Sequence, residues 1–324
     1  MKTIKTLLLI LPFVLLNTIG HAQFDMPKYN RIQEIKDLQP VVIINPPNPD
    51  IINKYDRKSK PEVVQTYEQL IGNYNEAMKI AMKNFWTFNS KEVLFKTRVE
   101  LNDMLKDKSQ RDKYFIIYCY SEETSYKRDF DWKINKGGEQ VVGTYTHFAI
   151  GYPDEMPFYQ VLLHHLLPSA TDIGYFISNA NYKFNYMLDH KDDYDIKGMV
   201  DKNAPILSRK TLLILQDDVS PKVINDIHNY YPCNIKLVAD SEMVNEVMSG
   251  DSSFAYVIHS NGSTGKSGAS FGSIDMNWVI NCADGAILGY TQDGTDPVPF
   301  TTDQGLRKDF FQAIGNFCRA GKKR

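Results

Sequence analysis

The sequence predicts an α/β chain made of two tandem copies of a β-α-β-α-β-β-β-α module, each a mixed sheet packed by helices. Three observations predict it. Residues 129–143 and 275–289 repeat one another, with identities at Asp129/Asp275, Trp132/Trp278, Ile134/Ile280, Asn135/Asn281 and Gly143/Gly289. The two windows lie about one domain length apart. Each half also opens with short apolar runs separated by helical periodicity and then shows closely spaced strands. Finally, 43% hydrophobic and 23% charged residues describe a globular chain with a sizeable core.

Residues 1–22 read as an export signal. Lys2 and Lys5 precede the apolar run 7–16, and Gly20-His21-Ala22 offers a small-residue cleavage motif. The run is shorter than the ~20 residues a membrane span needs. The mature chain is expected to begin near Gln23 and to be periplasmic or extracellular. Residues 23–60 read as a Pro/Asn-rich arm or first strand, with the apolar stretch 41–44 ahead of Asn45-Pro46-Pro47-Asn48-Pro49.

The first copy spans 61–188. Pro61 opens a helix in which Val64, Tyr67, Leu70, Ile71, Tyr74, Met78 and Met82 recur at helical spacing. A short strand is expected at 86–88 and a second helix from Ser90 to about Leu105. The run 114–120 suits a strand covered on both faces, with Phe115, Ile117 and Cys119 on one side. Strands over 126–134 and 140–150 flank a glycine turn at Asn135-Lys136-Gly137-Gly138. A helical region over 158–188, broken or kinked at Pro168, closes the copy. Charged, aperiodic residues 189–208 read as a linker.

The second copy spans 209–318. Its strands are placed at 211–216, 235–238, 254–258, around Trp278 and at 286–290. Helices open at Ser220-Pro221 and at Asp240 or Ser241, and one runs over 303–317. Residues 319–324 form a basic tail that reads as a solvated terminus. The twin tryptophans are expected to fill the gap between sheet and helices, and Gly143 and Gly289 to permit close backbone approach. Cys119 reads as a buried small hydrophobe. Cys233, Cys282 and Cys318 leave room for one disulfide whose pairing spacing alone does not assign.

No motif carries a convincing chemistry. Residues 260–267 place Ser260 where a phosphate loop needs its first glycine, and a strand follows where it needs a helix. Asp189, His190, Asp192, Asp193 and Asp195 lack the alternate spacing and glycine turn of a Ca²⁺ loop, and Asp293-Gly294-Thr295-Asp296 reads as a turn. His164 and His165 are helical neighbours that point about 100° apart, so they do not face one metal. Ser169 lacks a nucleophile elbow. Neither a metal nor a cofactor is expected, and no residue is assigned as catalytic. A net charge of -2 gives no field that would gather nucleic acid.

The sequence therefore points to binding or assembly at the cell envelope or outside the cell, with an unidentified envelope or extracellular protein or ligand as partner. The strand-joining loops are the expected contact, at Tyr126 in the first copy and at Asn261, Ser263, Thr264 and Lys266 in the second. The alternative is a hydrolase-type enzyme with its site in the cleft between the copies.

Overall fold

The computed structural model describes residues 27–123, 126–128, 144–163, 168–191, 195–264, 272–292 and 305–322. The first half contains α1 (Tyr29–Ile35), β1 (Gln39–Ile43), α2 (Pro49–Asp56), α3 (Pro61–Phe85), β2 (Leu94–Lys96) and α4 (Arg98–Met104). It continues with β3 (Tyr114–Glu123), β4 (Tyr126–Arg128), β5 (Thr144–Gly151), β6 (Tyr159–Leu163) and α5 (Ala170–His190). Helix α6 (Ile196–Asn203) leads to β7 (Thr211–Leu215), α7 (Ile227–Tyr230), β8 (Ile235–Val238) and α8 (Asp240–Ser249). Strands β9 (Phe254–Thr264), β10 (Gly272–Asn281) and β11 (Ile287–Gln292) follow, and α9 (Lys308–Lys322) closes the described chain.

The two halves are two similar α/β modules, each built on a five-stranded mixed sheet. In the first, β1 pairs parallel with β2 and β3, then β3–β5 and β5–β6 are antiparallel. In the second, β7 pairs parallel with β8 and β9, then β9–β10 and β10–β11 are antiparallel. The order β2-β1-β3-β5-β6 is thus reproduced as β8-β7-β9-β10-β11. Strand β4 is an additional hairpin strand on β3. One antiparallel register pair, Leu163↔Ser260, joins the modules into an eleven-stranded sheet.

This seam reverses strand direction, and the reversal explains the layers. Right-handed crossovers on oppositely directed sheets put corresponding helices on opposite faces. Helices α3, α5 and α8 accordingly share one face and one large core with Phe115, Phe148, Leu163, Tyr256, Trp278 and Ile280. On the second face, α9 and Ile227 of α7 cover Leu212, Ile214, Val257 and Leu288, while Leu101 of α4 covers Val41, Ile43 and Ile116. Helix α5 is buried along residues 171–181 without a break. It also touches the second module's backbone: Asn179 Nδ2 donates to the Gly285 carbonyl at 2.8 Å. Gly285 has φ +75° and faces the Ser178 backbone so closely that a Cβ has no room.

Several local expectations change. Residues 86–88 form no strand: Trp86 ends α3 and packs on Phe88, Phe115 and Phe184. The strand in that slot is β2, and the next helix starts later, under a Thr97–Glu100 capping box. Residues 159–163 extend the sheet instead of starting a helix. Pro168 denies the helix a donor, and α5 begins under a Ser169–Asp172 capping box. The Pro/Asn-rich arm holds two helices, the second opened by Asn48 and Pro49. Residues 221–226 make turns, so the helix expected at Ser220 shrinks to α7. The stretch expected as a linker folds into α6 and a 3-10 turn, burying Met199, Val200 and Leu207. The basic tail is helical to Lys322, whose Nζ donates to the Pro232 carbonyl at 2.9 Å.

Cys119 is buried as expected, and Cys282 is also a buried free thiol. Cys233 and Cys318 are bonded, tying α9 to the chain between α7 and β8. Trp132, Asn135 and Gly143 lie outside the described residues, as do residues 1–22, which were expected as an export signal. The first window ends at Gly143, where β5 is about to begin, whereas the second occupies β10 and the start of β11. Strand order among the described residues carries the equivalence of the halves.

Gly285→Ala is expected to cost at least about 2 kcal/mol, because it meets both positive φ and the α5 backbone. Trp278→Ala should cost about 3–5 kcal/mol, since the indole is buried against Tyr290. Cys318→Ser should cost about 2–5 kcal/mol. Urea unfolding of each variant checks these values.

Candidate functional site

Open α/β sheets carry chemistry at the carboxyl ends of their strands, where the order reverses. In the second module that point lies between β7 and β9. Strand β7 ends at Leu215 and the chain turns aside through Gln216–Asp218, because the end of β6 arrives there to pair with Ser260. The turn leaves Asp218 Oδ2 3.6 Å from His259 Nε2, with both side chains about one-third exposed. His259 stands opposite Asn277, and Asn277 opposite Thr291. Asn277 is 1% exposed, and its Nδ2 donates to Thr291 Oγ1 at 3.2 Å. The four residues thus form a polar row beside the apolar patch under α9.

A second set lies across the seam on the same face. Alternation along β3 turns Phe115, Ile117 and Cys119 into the main core and Tyr118 and Tyr120 away from it. Tyr120 stacks on Tyr118 (5.7 Å, 26° between planes) and on His147 of β5 (4.8 Å, 8°). Arg98 of α4 caps the ladder, 5.3 Å from the Tyr118 ring centre. The Tyr120 hydroxyl donates to Gln160 Oε1 at 3.1 Å, which sets the ring's orientation. Burial pushes the Tyr118 hydroxyl above its ordinary value, and Arg98 partly offsets the rise. Tyr120, His147 and Gln160 belong to neither apolar patch of this face, so the ladder borders the strip between the α4 and α9 patches.

A cleft of about 490 Å³ lies at the opposite ends of the strands. Both of its arginines are paired within it. Arg31 meets Glu34 and Glu155 at 3.3 and 3.5 Å, and Arg111 meets Asp154 at 2.9 Å. Tyr152 donates to Glu34 at 2.8 Å, and burial followed by that carboxylate pushes its hydroxyl up to about 12. The cleft is a surface clamp joining α1 to the β5–β6 turn.

The residues expected to bind are divided by the structure. Tyr126 lies in β4 opposite Glu123, and Asn261, Ser263 and Thr264 extend β9 opposite Asp275, Ser273 and Gly272. Asn261, Ser263 and Thr264 belong to a strand where a loop was expected, and Tyr126 opens a strand at the position where one was expected to start. Lys266, His164 and His165 lie outside the described residues. Among the described residues no His, Cys, Asp and Glu converge as a metal centre. Comparison with protein-family models, curated proteins and solved structures finds no match for this chain.

The ladder was within reach of the sequence: placing Cys119 inward places Tyr118 and Tyr120 outward. Asp218 and His259 were not, because only the seam brings them together. Tyr120→Ala removes the ring on which His147 and Tyr118 stack and the donor to Gln160. It is expected to lower stability by about 1–3 kcal/mol with unchanged far-UV circular dichroism, measured by urea unfolding.

Proposed function

We propose that the chain is an exported protein that binds a partner or ligand across the second sheet face, without catalysing a reaction. The observation that carries this reading is the Arg98–Tyr118–Tyr120–His147 ladder. The half-buried Tyr118 and Tyr120 rings, held rigid by stacking on each other and on the buried His147 and by Gln160, present contact area at little conformational cost. The polar row at Asp218, His259, Asn277 and Thr291 adds hydrogen-bonding groups on the same face. The chemistry that fits is a flat or ring-bearing surface with polar edges, such as an aromatic-rich peptide segment. The amino-terminal Lys2, Lys5 and the apolar run 7–16 support export, to the periplasm or beyond. No helix among the described residues is long and apolar enough to cross a membrane.

The alternative, a hydrolase working between the modules, is favoured by the Asp218–His259 contact alone. A base oriented by a carboxylate is half of a nucleophilic site, and the other half is a hydroxyl or thiol within hydrogen-bond reach. His259→Ala separates the readings. It should weaken partner capture by no more than the loss of one hydrogen-bonding group, about tenfold, whereas an enzyme would lose turnover by orders of magnitude.

Affinity capture from the native envelope fraction tests the proposal. The partner held by wild type should be lost with Tyr120→Ala and weakened in a chain lacking residues 261–272. Identical partner lists for wild type and Tyr120→Ala would sink the binding reading. The exported form should begin near Gln23 on amino-terminal sequencing.

A further inference from the structure

Lys183 lies on α5 and is 4% exposed. Its Nζ donates to the Tyr159 hydroxyl of β6 at 3.4 Å and lies 5.5 Å from that ring's centre. Among the described residues no carboxylate pairs with it. Tyr159 is itself buried and packs against Phe176 and Phe184 of α5. A buried ammonium without a counter-ion is strongly disfavoured, and the usual response is loss of the proton or local opening to water.

The titratable groups on the surrounding elements do not relieve this cost. From β6 the group is Tyr159, from α3 they are Tyr67 and Tyr74, and β5 contributes the apolar Phe148 and Ile150. Tyr67 accepts from the Asn48 amide at 3.0 Å. On α5 itself, Asp172 accepts from Ser169 N and Oγ at 2.8 and 3.0 Å, and Tyr175 is buried. On α1, Arg31 and Glu34 are tied to each other, with Tyr152 and Glu155 completing that surface network.

We propose that Lys183 and Tyr159 form a proton-operated latch on the packing of α5 against β6, shut with the neutral amine and loosened when it is protonated. The position gives the latch reach. Strand β6 ends at Leu163, which carries the register pair to the second module, and α5 packs against both modules. Loosening there acts on the junction beside Asp218 and His259.

The direction of the pH effect follows from burial, which pushes the amine from its ordinary 10.5 down to about 8. The open form therefore holds an extra proton between those values. Opening becomes about tenfold rarer per pH unit as pH rises through the window, and it is fully favoured, with no further change, below about 8. Burial pushes the Tyr74 and Tyr159 hydroxyls upward, which weakens the closed form at the alkaline end. Comparison with Lys183→Met cancels that contribution.

Side-chain NMR of ¹⁵N-lysine-labelled full-length protein, with urea unfolding between pH 6 and 10, tests the latch. Lys183 should titrate near pH 8, and the amide signals of Tyr159, Phe176 and Phe184 should share that midpoint, while those of Leu212 and Ile214 should not. Lys183→Met should abolish the shared midpoint and remove the tenfold-per-unit slope above pH 8. Tyr159→Phe, which deletes the amine's acceptor, should move the midpoint lower. A Lys183 midpoint near 10.5, an unchanged slope in Lys183→Met, or an unmoved midpoint in Tyr159→Phe would each overturn the proposal.

Discussion

Everything in this molecule is arranged around a helix that has no solvent side over half its length. Helix α5 is buried continuously from residue 171 to 181, which a helix tolerates only when apolar surface surrounds it. It supplies the closing layer of the first module and reaches the backbone of the second at Gly285. Separating the modules would therefore expose the contact of Gly174 with Val247 and Met248 and lose the hydrogen bond from Asn179 to the buried Gly285 carbonyl. A single strand register pair at the seam suffices because the helix carries the rest.

Reversal of strand direction at that seam has consequences for function. It assigns corresponding helices to opposite faces and leaves the second face divided between a small patch under α4 and a larger one under α9. Between them the side chains turn from apolar to aromatic and polar. It also brings the carboxyl ends of β6 and β7 toward the same stretch of β9. In an isolated module the end of β7 would open to solvent, whereas here it faces a strand from the other module. The paired Asp218 and His259 are products of that meeting.

The element types were largely legible from sequence because apolar periodicity reports burial, and burial here follows secondary structure. Val64, Tyr67, Ile71, Tyr74 and Met78 announced α3, and the nearly continuous apolar run 114–120 announced β3. The failures share a cause. Trp86 and Phe88, like Val161 and Leu163, are apolar because they are buried, and a short apolar run is equally compatible with strand, helix end or core turn. Residues 196–209 were misread for the opposite reason. Their buried positions are Met199, Val200 and Leu207, too sparse to outweigh the charges around them. The site was half legible: strand alternation yields Tyr118 and Tyr120, but His147, Gln160 and Arg98 reach them only through pairings of long sequence separation.

The two modules share their strand order. Identity of Asp, Trp, Ile, Asn and Gly in two windows first suggested the duplication, and the first of those windows lies outside the described residues. Strand order is the firmer criterion on physical grounds. A tryptophan can fill a gap wherever a sheet meets a helix, so matching indoles report a shared packing need more than a shared position. An order of β2-β1-β3-β5-β6 answered by β8-β7-β9-β10-β11 requires two crossovers of one hand followed by two antiparallel pairings, in the same sequence, twice. Hydrogen bonding and chain handedness hold such an order in place while individual side chains change. The modules then differ most where nothing in that order constrains them, at the extra hairpin strand β4, at the reduced helix α7, and on the face where the tyrosine ladder stands in one module and the Asp218–His259 contact in the other.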